Sequence, residues 1–204
     1  MKTFVKICGV CSLDDALACV DAGADAIGFN FYPRSKRYIE ADAAGAIAKR
    51  LPPSVRTVGV FVNPAAEEVD RAFAAGAIDF AQLHGDEPPE FCARFEGRYI
   101  KAIRLRDQYA IEAMKAYPCD LILVDADAPD YGGSGLRADV TLAQAAARAR
   151  RVILAGGLTP QNVAEAVELV RPFGVDVAGG VEREPGVKDW LKVAAFVDAA
   201  KKAS

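Results

Sequence analysis

Leu154-Ala155-Gly156-Gly157-Leu158-Thr159-Pro160 reads as the end of a buried strand, a two-glycine turn and a helix start, with Thr159 as N-cap and Pro160 at the first helical position. Glycines at such a turn let backbone N–H groups approach a ligand with no Cβ in the way, and the helix N-terminus adds positive potential. A second pair, Gly179-Gly180, follows the next apolar run. Glycine serves a plain tight turn equally well. Two pairs after two consecutive late strands, however, occupy the positions at which a closed barrel of alternating strands and helices often holds a phosphate.

Working outward from this stretch, short β-branched runs alternate with alanine-rich helical segments along the whole chain, a pattern that calls for a parallel sheet covered by helices. Strands are expected near 3–8, 26–31, 57–62, 80–84, 99–103, 121–125, 152–155 and 176–179. Helices are expected near 13–21, 42–50, 65–75, 89–95, 109–116, 142–149, 160–170 and 189–201. A faint repeat supports the alternation: Ala22-Gly23-Ala24-Asp25, Ala75-Gly76-Ala77-Ile78-Asp79 and Phe173-Gly174-Val175-Asp176 each read as a helix ended by glycine before a new strand. Eight strand–helix units predict an α/β fold, a (β/α)8 TIM barrel forming a single catalytic domain over residues 1–204. The alternative, an open doubly wound sheet, calls for Gly-x-Gly-x-x-Gly after the first strand, where this chain has Cys8-Gly9-Val10-Cys11.

Composition narrows the function. The 204 residues carry a formal charge of −3 with no basic block, which argues against nucleic acid as a partner. No apolar stretch reaches the length of a membrane span, and the first residues enter a strand pattern directly, so no membrane association and a cytoplasmic location are expected. Five scattered cysteines are an odd number and do not form a secreted disulfide framework; reduced thiols are expected.

A barrel gathers the C-terminal ends of all its strands on one face. That face is expected to collect Cys8, the basic loop with Arg37, His84, Asp125, Asp176 and the two glycine pairs. Asp125 closes the apolar run Leu121-Ile122-Leu123-Val124, a setting that favours a protonated general acid. Without Cys8 opposite, a loop-capping aspartate is an equal reading. Cys8-Gly9-Val10-Cys11 has dithiol spacing, but the chain shows neither a thioredoxin-like pattern nor further close-spaced zinc ligands, and His84 is its only histidine. An inert buried cysteine remains the competing reading of Cys8. Arg37 fits either a solvated charge cluster or a planar carboxylate clamp. His84 fits either a substrate contact or a hydrogen-bonded rim residue. The longest βα connection, 126–139, contains Tyr131-Gly132-Gly133-Ser134-Gly135 and reads as a lid or binding segment.

Taken together, Lys6-Ile7-Cys8-Gly9, Gly23-Ala24-Asp25-Ala26-Ile27-Gly28-Phe29, Ser35-Lys36-Arg37-Tyr38-Ile39, Val58-Gly59-Val60-Phe61-Val62-Asn63, Gln82-Leu83-His84-Gly85, Ala155-Gly156-Gly157-Leu158 and Gly180-Val181-Glu182 through Lys188-Asp189 resemble the phosphoribosylanthranilate isomerase family, collinearly over nearly the whole chain. The resemblance implies an Amadori rearrangement of N-(5'-phosphoribosyl)anthranilate in tryptophan biosynthesis. In it Cys8 is the general base at C2', Asp125 the general acid at the furanose ring oxygen, and Arg37 the partner of the anthranilate carboxylate. Gly156, Gly157, Gly179 and Gly180 would hold the phosphate, and His84 and Asp176 match further substrate-face positions. It implies a small phosphorylated substrate, no cofactor, no metal, and a monomer or homodimer. The chain departs from the family pattern at Cys11, usually polar, where a bridge to Cys8 would inactivate. It departs again at Ala178-Gly179, commonly two serines, and at Leu136-Arg137-Ala138 in the long loop. The competing classes are a thiol redox protein and a phosphosugar-binding barrel without isomerase activity, neither of which needs Asp125.

Overall fold

Residues 2–126 and 139–203 are described by the computed structural model. Strands β1 (Phe4–Cys8), β2 (Ala26–Asn30), β3 (Arg56–Phe61), β4 (Phe80–Leu83), β5 (Tyr99–Leu105), β6 (Ile122–Ala126), β7 (Val152–Leu154) and β8 (Gly174–Val177) pair in parallel in chain order, and β8 returns to β1 to close the barrel. Helices α1 (Leu13–Asp21), α2 (Ala41–Ala48), α3 (Ala66–Ala74), α4 (Pro89–Cys92), α5 (Gln108–Ala113), α6 (Val140–Ala149), α7 (Val163–Val170) and α8 (Trp190–Lys202) alternate with the strands. The expected eight-stranded barrel is the observed one. The loop segment Tyr131–Gly135 and the departure at 136–138 lie outside the described residues.

Side-chain alternation divides the core in two. Val5, Ile7, Ile27, Phe29, Leu83 and Val175 belong to the apolar layer between strands and helices, where Cys19, Val193 and Phe196 from α1 and α8 are also fully buried. Burying one such large side chain contributes roughly 1.5–3 kcal/mol. The intervening positions fill the barrel: Ala26, Val58, Ile100, Ala102, Leu123 and Ile153 form a second cluster, bordered by Phe4, Phe80 and Phe173. Helix starts follow the side chains that can cap them. Ser12 accepts from Asp15 N at 3.2 Å and Asp107 from Tyr109 N at 2.8 Å, each cap worth about 1 kcal/mol.

Three expectations need correction. Strand β8 starts two residues earlier than expected because Gly174 does not end a helix. A Cβ on it would meet Phe4 O at 2.6 Å, so this glycine serves the close β1–β8 approach; the left-handed residue after α7 is Arg171, with φ 52°. Thr159 is not the residue whose side chain closes the turn before α7. Asn162 accepts from Thr159 N at 2.8 Å and donates to Gly157 O at 2.9 Å, and the helix starts at Val163. Finally, an unexpected antiparallel hairpin, β9 (Glu182–Glu184) with β10 (Val187–Lys188), follows β8. Asp15 of α1 secures it, accepting from Lys188 N at 3.1 Å and from the Trp190 indole at 2.8 Å.

Candidate active site

Cys8, His84 and Asp125 stand at the C-terminal ends of β1, β4 and β6, all buried at the same mouth of the barrel. Arg37 from the loop after β2, Asp176 of β8 and both glycine pairs complete that face, so every expected site residue reaches it. No strand needs distortion for this, because parallel closure alone aligns the strand ends.

Beneath the thiol lies Lys6, two residues earlier on the same strand and therefore on the same side of the sheet. It is fully buried, and its ammonium donates to Asp176 Oδ1 at 2.9 Å across the β1–β8 register. Burial disfavours the ammonium, but the charges of Asp176 and Cys8 outweigh it and hold Lys6 above its ordinary value. Burial pushes the Cys8 thiol up; Lys6 opposes this and Asp176 adds to it, with the net direction upward. The thiol is thus favoured in its neutral form, with a cation beneath it that would meet the thiolate. Gly28 on β2 makes room for it, since a Cβ there would stand 3.0 Å from Cys8 Sγ.

Across the mouth, His84 Nε2 lies 3.4 Å from Asp125 Oδ2, and Gln82 Nε2 lies 2.9 Å from His84 Nδ1. His84 is therefore held through Nδ1 by Gln82, while its Nε2 faces the Asp125 carboxyl without a hydrogen bond among the described residues. A buried pair underpins its loop: Lys101 donates to Glu87 Oε2 at 2.7 Å and to Gly85 O at 2.8 Å, while Glu87 Oε1 accepts from Asn63 N and Gly85 N. With its donors and acceptors matched, such a pair rigidifies the β4 end.

The Arg37 guanidinium is gripped by Glu182, which accepts from Nε at 2.9 Å and from the terminal Nη2 at 2.7 Å. The Glu182 hydrogen bonds hold Arg37 above its ordinary value. Burial works to raise the Glu182 carboxyl, but Arg37 and Lys188 outweigh it and hold it below 4.5. Lys188, fully buried, donates to Glu182 Oε1 at 2.7 Å and to Cys8 O at 2.6 Å, so one network links the clamp to the strand carrying the thiol. This fork leaves Nη1 and one edge of Nη2 to meet a planar anion.

Both residues of the first glycine pair are left-handed, Gly156 at φ 92° and Gly157 at φ 63°. The second pair lies directly against this turn, where a Cβ on Gly180 would collide with Leu158 O, and Gly179 stands beside Arg37 and Glu182. Cys11 points away from dithiol chemistry: its thiol donates to Arg37 O at 3.4 Å, and among the described residues all five cysteines are free. The sequence reading missed Glu182, Lys188, Lys101 and Gln82. A charge directly after a valine, as in Val181-Glu182 and Val187-Lys188, was the available signal, but it required knowing that the chain folds back as a hairpin.

A cavity of about 390 Å³ opens at the opposite mouth, lined by Phe4, Phe80, Tyr99, Arg151 and Phe173. Cys8, His84 and Asp125 do not line it, and in this architecture chemistry belongs to the other end. Among the described residues no helix is long and apolar enough to cross a membrane.

Comparison with known proteins agrees with this geometry. The family model described as N-(5'phosphoribosyl)anthranilate (PRA) isomerase matches residues 5–199. An N-(5'-phosphoribosyl)anthranilate isomerase of Geobacter metallireducens is 52% identical over 198 residues, covering 97% of this chain and 98% of the relative. The crystal structure of phosphoribosyl anthranilate isomerase from Thermotoga maritima superimposes with a TM-score of 0.90 at 43% identity, covering 98% of this chain and 99% of that one. Another isomerase structure, in complex with reduced 1-(o-carboxyphenylamino)-1-deoxyribulose 5-phosphate, gives 0.88 at 40% identity, with the same coverage. A closed barrel with a buried thiol and carboxyl at one mouth, matched over almost its whole length, belongs to the N-(5'-phosphoribosyl)anthranilate isomerase family of tryptophan biosynthesis.

Proposed function

We propose that Cys8 and Asp125 are the base and acid of the Amadori rearrangement of N-(5'-phosphoribosyl)anthranilate to 1-(2-carboxyphenylamino)-1-deoxyribulose 5-phosphate. Asp125 gives its proton to the furanose ring oxygen, the C1'–O bond breaks, and the nitrogen lone pair forms the iminium. The Cys8 thiolate then removes the C2' proton, the electron pair moves to C1'–C2', and tautomerisation of the resulting enaminol leaves a ketone at C2'. The observation that carries this reading is the placement of a thiol over a buried ammonium and of a carboxyl against an imidazole at one mouth. An acid and a base fixed on separate strands of one rigid barrel can act on opposite sides of a sugar.

Arg37, preorganised by Glu182, takes the anthranilate carboxylate, and the abutting turns at Gly156-Gly157 and Gly179-Gly180 take the phosphate through backbone N–H groups. Ala178-Gly179 offers no side-chain hydroxyl, so this binding relies on main-chain donors. Asp176, expected to contact substrate, acts through Lys6 by holding the cation below the thiol. The complex of a related isomerase with reduced 1-(o-carboxyphenylamino)-1-deoxyribulose 5-phosphate supports a ligand of this class. Turnover is followed by the loss of substrate fluorescence. Cys8→Ser and Asp125→Asn are each expected to lower kcat by about 10²–10⁴-fold. Full rate in both variants overturns the assignment.

A further inference from the structure

Gln82 and His84 occupy alternate positions at the end of β4, and both point into the mouth of the barrel. Gln82 is 1% exposed, its Nε2 lies 2.9 Å from His84 Nδ1, and its Oε1 has no hydrogen-bond partner among the described residues. A buried amide oxygen left without a partner is costly, so an amide at this position needs another reason to be there. The reason lies at its other end. With the amide N–H donating, Nδ1 is an acceptor, and a neutral ring then carries its proton on Nε2, which faces Asp125 Oδ2 at 3.4 Å.

We propose that Gln82 is a positioning residue that fixes His84 as the Nε2–H tautomer; Nε2, which makes no hydrogen bond among the described residues, then holds its N–H toward Asp125 Oδ2 at 3.4 Å, ready for the carboxylate formed on proton transfer. This rests on Asp125 being the general acid. The opposite tautomer would point an Nε2 lone pair at Asp125, where it would compete with the ring oxygen of the substrate for the acid's proton. In the Nε2–H form, the carboxylate left by proton transfer meets an N–H that already faces it. The other charges on the flanking elements are engaged elsewhere: Lys101 of β5 binds Glu87 at 2.7 Å, Arg104 binds Asp86 at 2.7 Å, and Lys6 of β1 binds Asp176 at 2.9 Å. Asn63, after β3, accepts from Asp86 N at 2.7 Å. Among the described residues, the Asp125 carboxyl is the acidic group that lies against the ring, at 3.4 Å.

His84 is the chain's only histidine, so imidazole ¹⁵N spectra of the full-length protein contain one residue's signals. At about pH 7.5 the expected spectrum has a protonated Nε2 and an unprotonated Nδ1. Gln82→Glu, whose carboxylate accepts from Nδ1–H, is expected to reverse the tautomer. It should lower kcat by about 30-fold or more with KM within about twofold. Gln82→Leu removes the donor and is expected to mix the tautomers and lower kcat by about tenfold. A wild-type spectrum with Nδ1 protonated, or folded variants that keep the wild-type tautomer or the wild-type kcat, overturns the proposal. If either variant fails to fold, the wild-type spectrum still decides. Full turnover by Asp125→Asn would sink the acid assignment while leaving the tautomer result standing.

Discussion

The two mouths of the barrel solve opposite problems with the same strands. At the strand starts, Phe4 stacks on Phe173 with ring centroids 5.3 Å apart, the Arg151 guanidinium lies 3.6 Å over Phe173, and the aromatic wall borders a cavity of about 390 Å³. At the strand ends the volume is given to charges, and each buried cation has a carboxylate partner: Lys6 with Asp176, Lys101 with Glu87, Lys188 with Glu182. The strand starts thus contribute aromatic packing, whereas the strand ends hold oriented charges.

Lys6 gives the sharpest way to break this division, because its stem lines the cavity at one mouth while its ammonium serves the other. Lys6→Met leaves Asp176 buried without its partner. It is expected to cost about 3–5 kcal/mol of stability by chemical denaturation and also to lower kcat, coupling the two ends. Stability within about 1 kcal/mol of wild type would show that Asp176 is relieved by water or protonation. Ile153→Ala, in the barrel interior, should cost about 2–4 kcal/mol and leave kcat of the folded enzyme within about twofold. A large kcat loss there would deny the separation. Glu182→Gln weakens the grip on Arg37 and is expected to raise KM about tenfold with a smaller change in kcat, read from steady-state kinetics.

Two pH effects sharpen the contrast further. Because burial raises the Cys8 thiol, kcat/KM should climb as pH rises through the alkaline range, until the thiolate form dominates; a flat profile would deny Cys8 the role of base. Glu182 has the opposite sign. Its carboxyl titrates lower in the folded chain than its ordinary 4.5, so its contribution to stability is complete above that value and fades as pH falls through the folded value. Glu182→Gln should shrink the acid-side loss of Tm by a small amount, measured below about pH 4.5.

The barrel was legible because strand alternation and repeated helix stops are local signals. The candidate site residues were legible in position because each sits at a strand end, where Cys8, His84 and Asp125 can be counted off a run of apolar residues. Gly174 misled because a glycine that lets two backbones approach looks, in sequence, like one that ends a helix. The Arg37–Glu182–Lys188 network was hidden for a different reason: it depends on a hairpin reversal over residues 182–188 that no periodicity announces, and on a carboxylate whose partner lies 145 residues away.

That distance has a kinetic meaning. The contacts that finish the reactive mouth join residues separated by 170 positions for Lys6 and Asp176, 173 for Asp15 and Lys188, and 180 for Lys188 and the Cys8 carbonyl. Pairings so remote along the chain carry the largest loop-closure entropy and form late. The hairpin latched to Asp15 thus acts as a clasp: a partly assembled barrel already possesses its thiol and its carboxyl, yet it gains a seated guanidinium only on the step that also shuts the ring.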